Sequence, residues 1–210
     1  MHLQLVELEA DFKKLKGFDR IQDKVKHKRE VLLPKWGPIV EDYVTKIKSK
    51  EIEPYDNPLF ASSIIWLFDV GQFAKGIELG FIAIALKQDS GLRRAWPKFI
   101  SDEVFAWAEK ESEAGRSVEP YFSQVFDKVA HEWRLAEPLT AKFYKLMAHN
   151  LLRSGGEVKP SLCGDSDVLQ QADRLLEKAA QLHKGVGVKT LRIRIDMRLR
   201  ALDGYASQDT

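Results

Sequence analysis

The chain has 210 residues and 44% hydrophobic content, enough for one generous domain or two small ones with a true core. Its 33 basic and 31 acidic residues leave a net charge of +2, so any surface for nucleic acid has to be a local cluster of cations. The single cysteine, Cys163, rules out a disulfide framework within one chain and fits a reducing compartment.

Leu5, Leu8, Phe12 and Leu15 follow one another at heptad spacing on a first helix that Gly17 ends. So short a seam serves either to dock the helix on its own domain or to join two copies. Acidic residues interrupt this opening stretch, which lacks the basic-then-apolar order of a signal peptide, so export by a leader is not expected.

A second helix is predicted from Asp19 to Leu33. Arg20, Lys24, Lys26, Lys28 and Arg29 outweigh Asp19, Asp23 and Glu30 on it, while Ile21, Val25 and Leu32 form its apolar stripe. Lys28 falls inside that stripe and must snorkel or meet a polar partner. Such a run is either a solvated face or a contact for DNA phosphates, which asks only for clustered cations on one exposed face. Pro34 is expected to end this helix and Pro38 to open the next, with Trp36 held between them as a packing anchor. That helix runs to Lys50, and an acidic, proline-containing loop from Glu51 to Pro58 closes an N-terminal segment, residues 1–58.

Leu59 to Leu86 reads as two apolar helices folded together across an Asp69-Val70-Gly71 turn. The first is hydrophobic nearly all round and has to be buried. On the second, Gly76, Gly80 and Ala83 form a stripe that lets a neighbouring helix approach closely, beside a bulky stripe of Phe73, Ile77, Phe81 and Ile84. Glu78 and Lys87 bound the longest apolar run, which is short of the ~20 residues that span a bilayer. A second pair follows the basic Arg93-Arg94 loop, with Ile100, Val104, Trp107 and Ala108 on one helix, a stop at Gly115, and Val118, Phe122, Val125, Phe126, Val129 and Trp133 on the other. A third begins near Leu139 with Phe143, Met147 and Leu151, stops at Gly155-Gly156, and resumes after an Asp165-Ser166 N-cap with Val168, Ala172, Leu175, Leu176 and Ala179.

Leu59, Phe99 and Leu139 recur at a fixed interval, which suggests an all-α chain whose hairpins, residues 59–203, stack as a short α-solenoid of tetratricopeptide type. The last helix, Val188 to Leu202, sets Lys189, Arg192, Arg194, Arg198 and Arg200 against one Asp196, and the polar tail Gly204 to Thr210 is expected to be disordered.

The histidines never pair at metal-ligand spacing, and Ile77 stands where a phosphate loop beginning at Gly71 needs lysine. Neither a metal nor a nucleotide cofactor is implied, and no catalytic group is assigned. Glu157-Val158-Lys159 echoes half of a nuclease site, but in a loop with no strand.

Lys28-Arg29-Glu30-Val31-Leu32-Leu33-Pro34-Lys35-Trp36-Gly37-Pro38, followed by Trp66-Leu67-Phe68-Asp69-Val70-Gly71, resembles the small terminase subunit of temperate tailed bacteriophages, the GpM family. Its structural motif here is Leu33, Pro34, Trp36, Pro38, Trp66, Asp69 and Gly71; Lys35 and Gly37 stand where the family tends to have larger apolar residues. The similarity continues through Ile77-Glu78-Leu79, Glu103-Val104, Ala114 to Val118 and Leu151 to Gly156. The resemblance implies a homo-oligomer, a ring in this family, that recognises viral double-stranded DNA in the host cytoplasm and recruits a large ATPase and nuclease subunit. The family carries the name endonuclease subunit, yet these residues leave cleavage to the large subunit. A helical-repeat adaptor that grips a peptide without DNA is the alternative.

Overall fold

In the computed structural model, which describes residues 2–154 and 157–206, the first element is helix α1 (His2–Lys16). It turns Leu8 and Leu15 into the core and sets Phe12 edge-on to Trp66, with ring centroids 6.1 Å apart. The heptad seam is thus docked on its own unit.

Helix α2 (Ile21–His27), a π-helical turn (Lys28–Leu32) and helix α3 (Leu33–Lys48) follow without a break. This corrects the expectation that Pro34 ends one helix and Pro38 opens another. A proline ring crowds the carbonyl four residues back in an ordinary helix. Here the Leu33 N–H already donates to Lys28 O, five residues back, so the ladder has widened before Pro34 joins it. The buried face accordingly runs His27, Leu32, Trp36, Val40, with its longest interval at the wide turn. Ile21, placed in the apolar stripe by its spacing, is 78% exposed because the stripe changes face at that turn.

Helices α4 (Pro58–Asp69) and α5 (Phe73–Ala85) form the apolar hairpin that the sequence predicts. Asn57 Oδ1 caps α4 by accepting from the N–H groups of Leu59 and Phe60, and Gly71 makes the turn at φ +78°. The small-residue stripe is filled by its neighbours. A Cβ on Gly76 would come within 3.1 Å of the Phe68 ring, and one on Gly80 within 2.6 Å of Ile100 Cδ1. Ile100 lies in the first turns of helix α6 (Trp96–Glu113), where Phe99 also stands edge-on to Phe68.

The chain forms two compact units, residues 1–100 and 101–210, and the division falls inside α6. The C-terminal unit holds the rest of α6 with α7 (Tyr121–His131), α8 (Glu137–Leu151), α9 (Ser166–Leu182) and α10 (Lys189–Ala206). Phe122 of α7 stacks on Phe143 of α8 at 5.4 Å. Helices α8 and α9 make the most extensive pairing among the described elements, with Ala141, Ala148, Ala172 and Ala179 fully buried in the same core. Their connection contains an antiparallel pair, β1 (Arg153–Ser154) with β2 (Glu157–Val158), and a 3-10 turn at Pro160–Leu162. Glu157 is therefore on a short strand, not in the strandless loop expected of it. The proposed stop at Gly155-Gly156 lies outside the described residues, and α8 itself ends at Leu151. Asp165 caps α9 as predicted, accepting from the N–H groups of Asp167 and Val168.

Two further boundaries shift. Helix α7 ends before Trp133, and α10 continues past Leu202 to Ala206, so Gly204 is helical; residues 207–210 of the predicted tail lie outside the described residues. The described elements are helical apart from the β1–β2 pair, and no described helix is long and apolar enough to cross a membrane.

Two measurements check this packing. Gly80→Leu drives a branched side chain against Ile100 and is expected to cost about 1–3 kcal/mol, read as a lower urea midpoint at unchanged m-value. Burial of His149, with Lys145 and Arg153 beside it, brings its pKa from 6.5 down to about 4. The unfolded chain then binds the extra proton between those values, so the contribution is full above about pH 6.5 and is lost as pH falls towards 4. The ceiling is roughly 3 kcal/mol, lowered by solvent at the exposed edge of the ring, and His149→Gln should flatten the stability profile across that window.

Candidate nucleic-acid interface

The two halves of the Leu-Pro-x-Trp and Trp-x-x-Asp-x-Gly pattern meet in space. The wide turn places Lys28 Nζ 2.6 Å from Asp69 Oδ2 and lets Arg29 Nη2 donate to Val70 O at 3.3 Å. Both cations thus sit at the C-terminal end of α4, where free carbonyls and the helix dipole favour positive charge. Lys28, which the pattern obliged to find a polar partner, has one.

One turn further on, Trp36 is 1% exposed and its indole Nε1 donates to Asp11 Oδ2 at 2.9 Å. Lys35 Nζ donates to the same oxygen at 2.8 Å and lies 4.4 Å over the Trp36 ring. The hydrogen bond to Asp11 raises the Lys35 pKa above its ordinary value. Trp36 is the anchor expected of it, and Asp11 of α1 is the partner that sequence reading missed.

A group of cations gathers where α1 meets α2. Lys16, Lys24 and Lys28 line one open cleft floored by Phe12 and Leu15. Lys13 and Lys14 stand exposed in the last turns of α1, and Arg20 is exposed at the start of α2. Lys14 comes close to His27, whose ring is buried against Phe18 at 5.1 Å. Burial first, and Lys14 second, hold the His27 pKa below its usual value. Lys26 is exposed outside the cleft, and Arg29 is turned to α4. The signal for the α1 lysines was present in Phe12-Lys13-Lys14-Leu15-Lys16, but an apolar seam explained that stretch first.

The basic face of α10 is differently disposed. Arg192 forms a two-pronged pair with Asp173 of α9, at 2.7 and 2.9 Å, and reaches Glu177 at 3.3 Å. The Asp173 bond raises its pKa. Arg198 donates to Cys163 O at 2.8 Å, and Arg200 pairs with Asp196 at 2.8 Å. Lys189 and Arg194 are exposed, with no ion pair among the described residues.

The family described as phage small terminase subunit matches residues 5–138. The chain belongs to that family. The match takes in α1 to α7, and with them the α1–α2 cleft and both halves of the Lys28–Asp69 clasp. A relative from Haemophilus phage HP1, named a probable terminase, endonuclease subunit, is 38% identical over 202 residues, 94% of this chain and 69% of that protein. No solved structure matches the chain.

Within this small terminase subunit, Glu157 forms an ion pair with Lys159, and among the described residues no three His, Cys, Asp or Glu side chains come together as a metal-holding group. The clasp itself is open to test. Asp69→Ala leaves half-buried Lys28 without its partner and should cost about 1 kcal/mol in chemical denaturation, against about 0.3–0.5 kcal/mol for Asp42→Ala, which removes the exposed pair with Lys46.

Proposed function

We propose that this small terminase subunit contacts viral double-stranded DNA through the α1–α2 corner and brings the large ATPase and nuclease subunit to it, as a homo-oligomer in the host cytoplasm. The observation that carries the reading is that Lys16 and Lys24 line one cleft beside the clasped Lys28, with Lys13, Lys14 and Arg20 exposed on the same two helices. Cations so placed neutralise consecutive phosphates and release counterions, which gives affinity without base readout. Lys14, Lys16, Lys24 and Arg20 are the residues we assign to phosphate. Lys28 and Arg29 hold the corner against α4 and present the cleft. On α10, only Lys189 and Arg194 are free of internal pairing among the described residues, so that helix is a secondary surface.

Duplex binding followed by fluorescence anisotropy over a salt series tests the assignment. The log-log salt slope should lose about 0.9 for each contact removed by Lys14→Glu, Lys16→Glu and Lys24→Glu, whereas Lys189→Glu with Arg194→Glu should leave it unchanged. The opposite result would move the interface to α10. Binding indifferent to salt would sink the phosphate reading and favour a protein-binding adaptor. Incubation of the chain alone with magnesium should leave the duplex uncut.

A further inference from the structure

The C-terminal unit encloses a cavity of about 360 Å³, within the range of roughly 300–1,000 Å³ typical of ligand pockets. One wall is α6, which presents Phe105, Glu109 and Glu113 on successive turns. Facing it, α8 presents Lys142, Lys145, Leu146 and His149 along one side, and β1 extends that side with Arg153. The 3-10 turn after α9, Lys184–Val186, closes the third side together with His183 just before it.

These walls are fixed by the protein itself. Phe105 packs on Phe143 of α8 at 5.3 Å, and Ser112 Oγ donates to Asn150 Oδ1 at 2.7 Å, tying α6 to α8. Lys145 Nζ donates to Val186 O at 2.8 Å, tying α8 to the turn. A Cβ on Gly185 would meet His183 Nε2 at 3.0 Å, so a side chain there would push the His183 ring.

The lining is divided by chemistry: cations along α8 and β1, carboxylates on α6, and one apolar side chain on each facing helix, Phe105 and Leu146. A bare anion would leave the ring and the carboxylates unmatched, and an apolar ligand would cover charges without pairing them. We propose that the cavity binds a mononucleotide. Its phosphate meets Lys142 and Arg153, its base lies on Phe105 and Leu146, and its sugar hydroxyls donate to Glu109 and Glu113. His149 stands among Lys142, Lys145 and Arg153, faces Glu109, Glu113 and His183 across the cavity, and is neutral near pH 7 when the site is empty. A phosphate arriving beside it favours the charged imidazolium, so occupancy takes up a proton. This goes beyond the DNA reading and uses none of its residues.

Isothermal titration of the full chain with AMP, adenosine and inorganic phosphate tests it. We expect one AMP per chain, with adenosine and phosphate each weaker by about tenfold or more, and a similar loss in Lys142→Glu, an exposed position whose reversal leaves the core intact. Near pH 5 the binding enthalpy should vary with the ionisation enthalpy of the buffer, and this variation should shrink in His149→Gln. Absence of AMP binding at millimolar concentration overturns the proposal. So does phosphate binding as tightly as AMP, or AMP binding that ignores Lys142→Glu. Because no duplex is present in the titration, failure here leaves the α1–α2 assignment standing, and failure of that assignment leaves this one.

Discussion

The wide helical turn at Lys28–Leu32 is the constraint from which the N-terminal unit is built. It lets one helical run pass Pro34 without stopping. It also rotates the chain so that His27, Leu32, Trp36 and Val40 all face inward. The same rotation aims Lys28 and Arg29 at the end of α4, where Asp69 and the Val70 carbonyl receive them. An undistorted helix would have to give up one of these: the passage through Pro34, the continuous buried face, or the clasp.

From that clasp follows a division of labour among cations that look alike in sequence. A half-buried lysine paired at 2.6 Å stabilises its own fold and has little left to offer a phosphate. Lys16, and Arg20 at the start of α2, are exposed, and Lys24 is partly so. Arg192 and Arg198 of α10 are likewise engaged within the C-terminal unit, while Arg200 makes only an exposed pair with Asp196.

Much of the fold was legible in the residues because local rules decided it. The α4–α5 hairpin followed from an apolar run broken by a turn with glycine in a left-handed conformation, and Asp165 announced the start of α9 through its capping chemistry. The glycine stripe of α5 foretold close approach, and Phe68 and Ile100 supply it. The α8–α9 pairing was less visible, since Ala141, Ala148, Ala172 and Ala179 carry too little hydrophobic signal to mark a face, yet their small size lets the two helices come together.

The sequence by itself determined that the chain is helical, where most helices begin, and which family it resembles, because capping, periodicity and motif spacing act over a few residues. Only the tertiary structure decided that Pro34 lies inside a helix, that the Leu5 to Leu15 seam docks on α4, and which lysines are clasped and which are free. Those outcomes depend on the partner across the fold. Asp69 is forty-one positions from Lys28, and Asp11 is twenty-five from Trp36, so no local pattern around either residue could name the group that meets it.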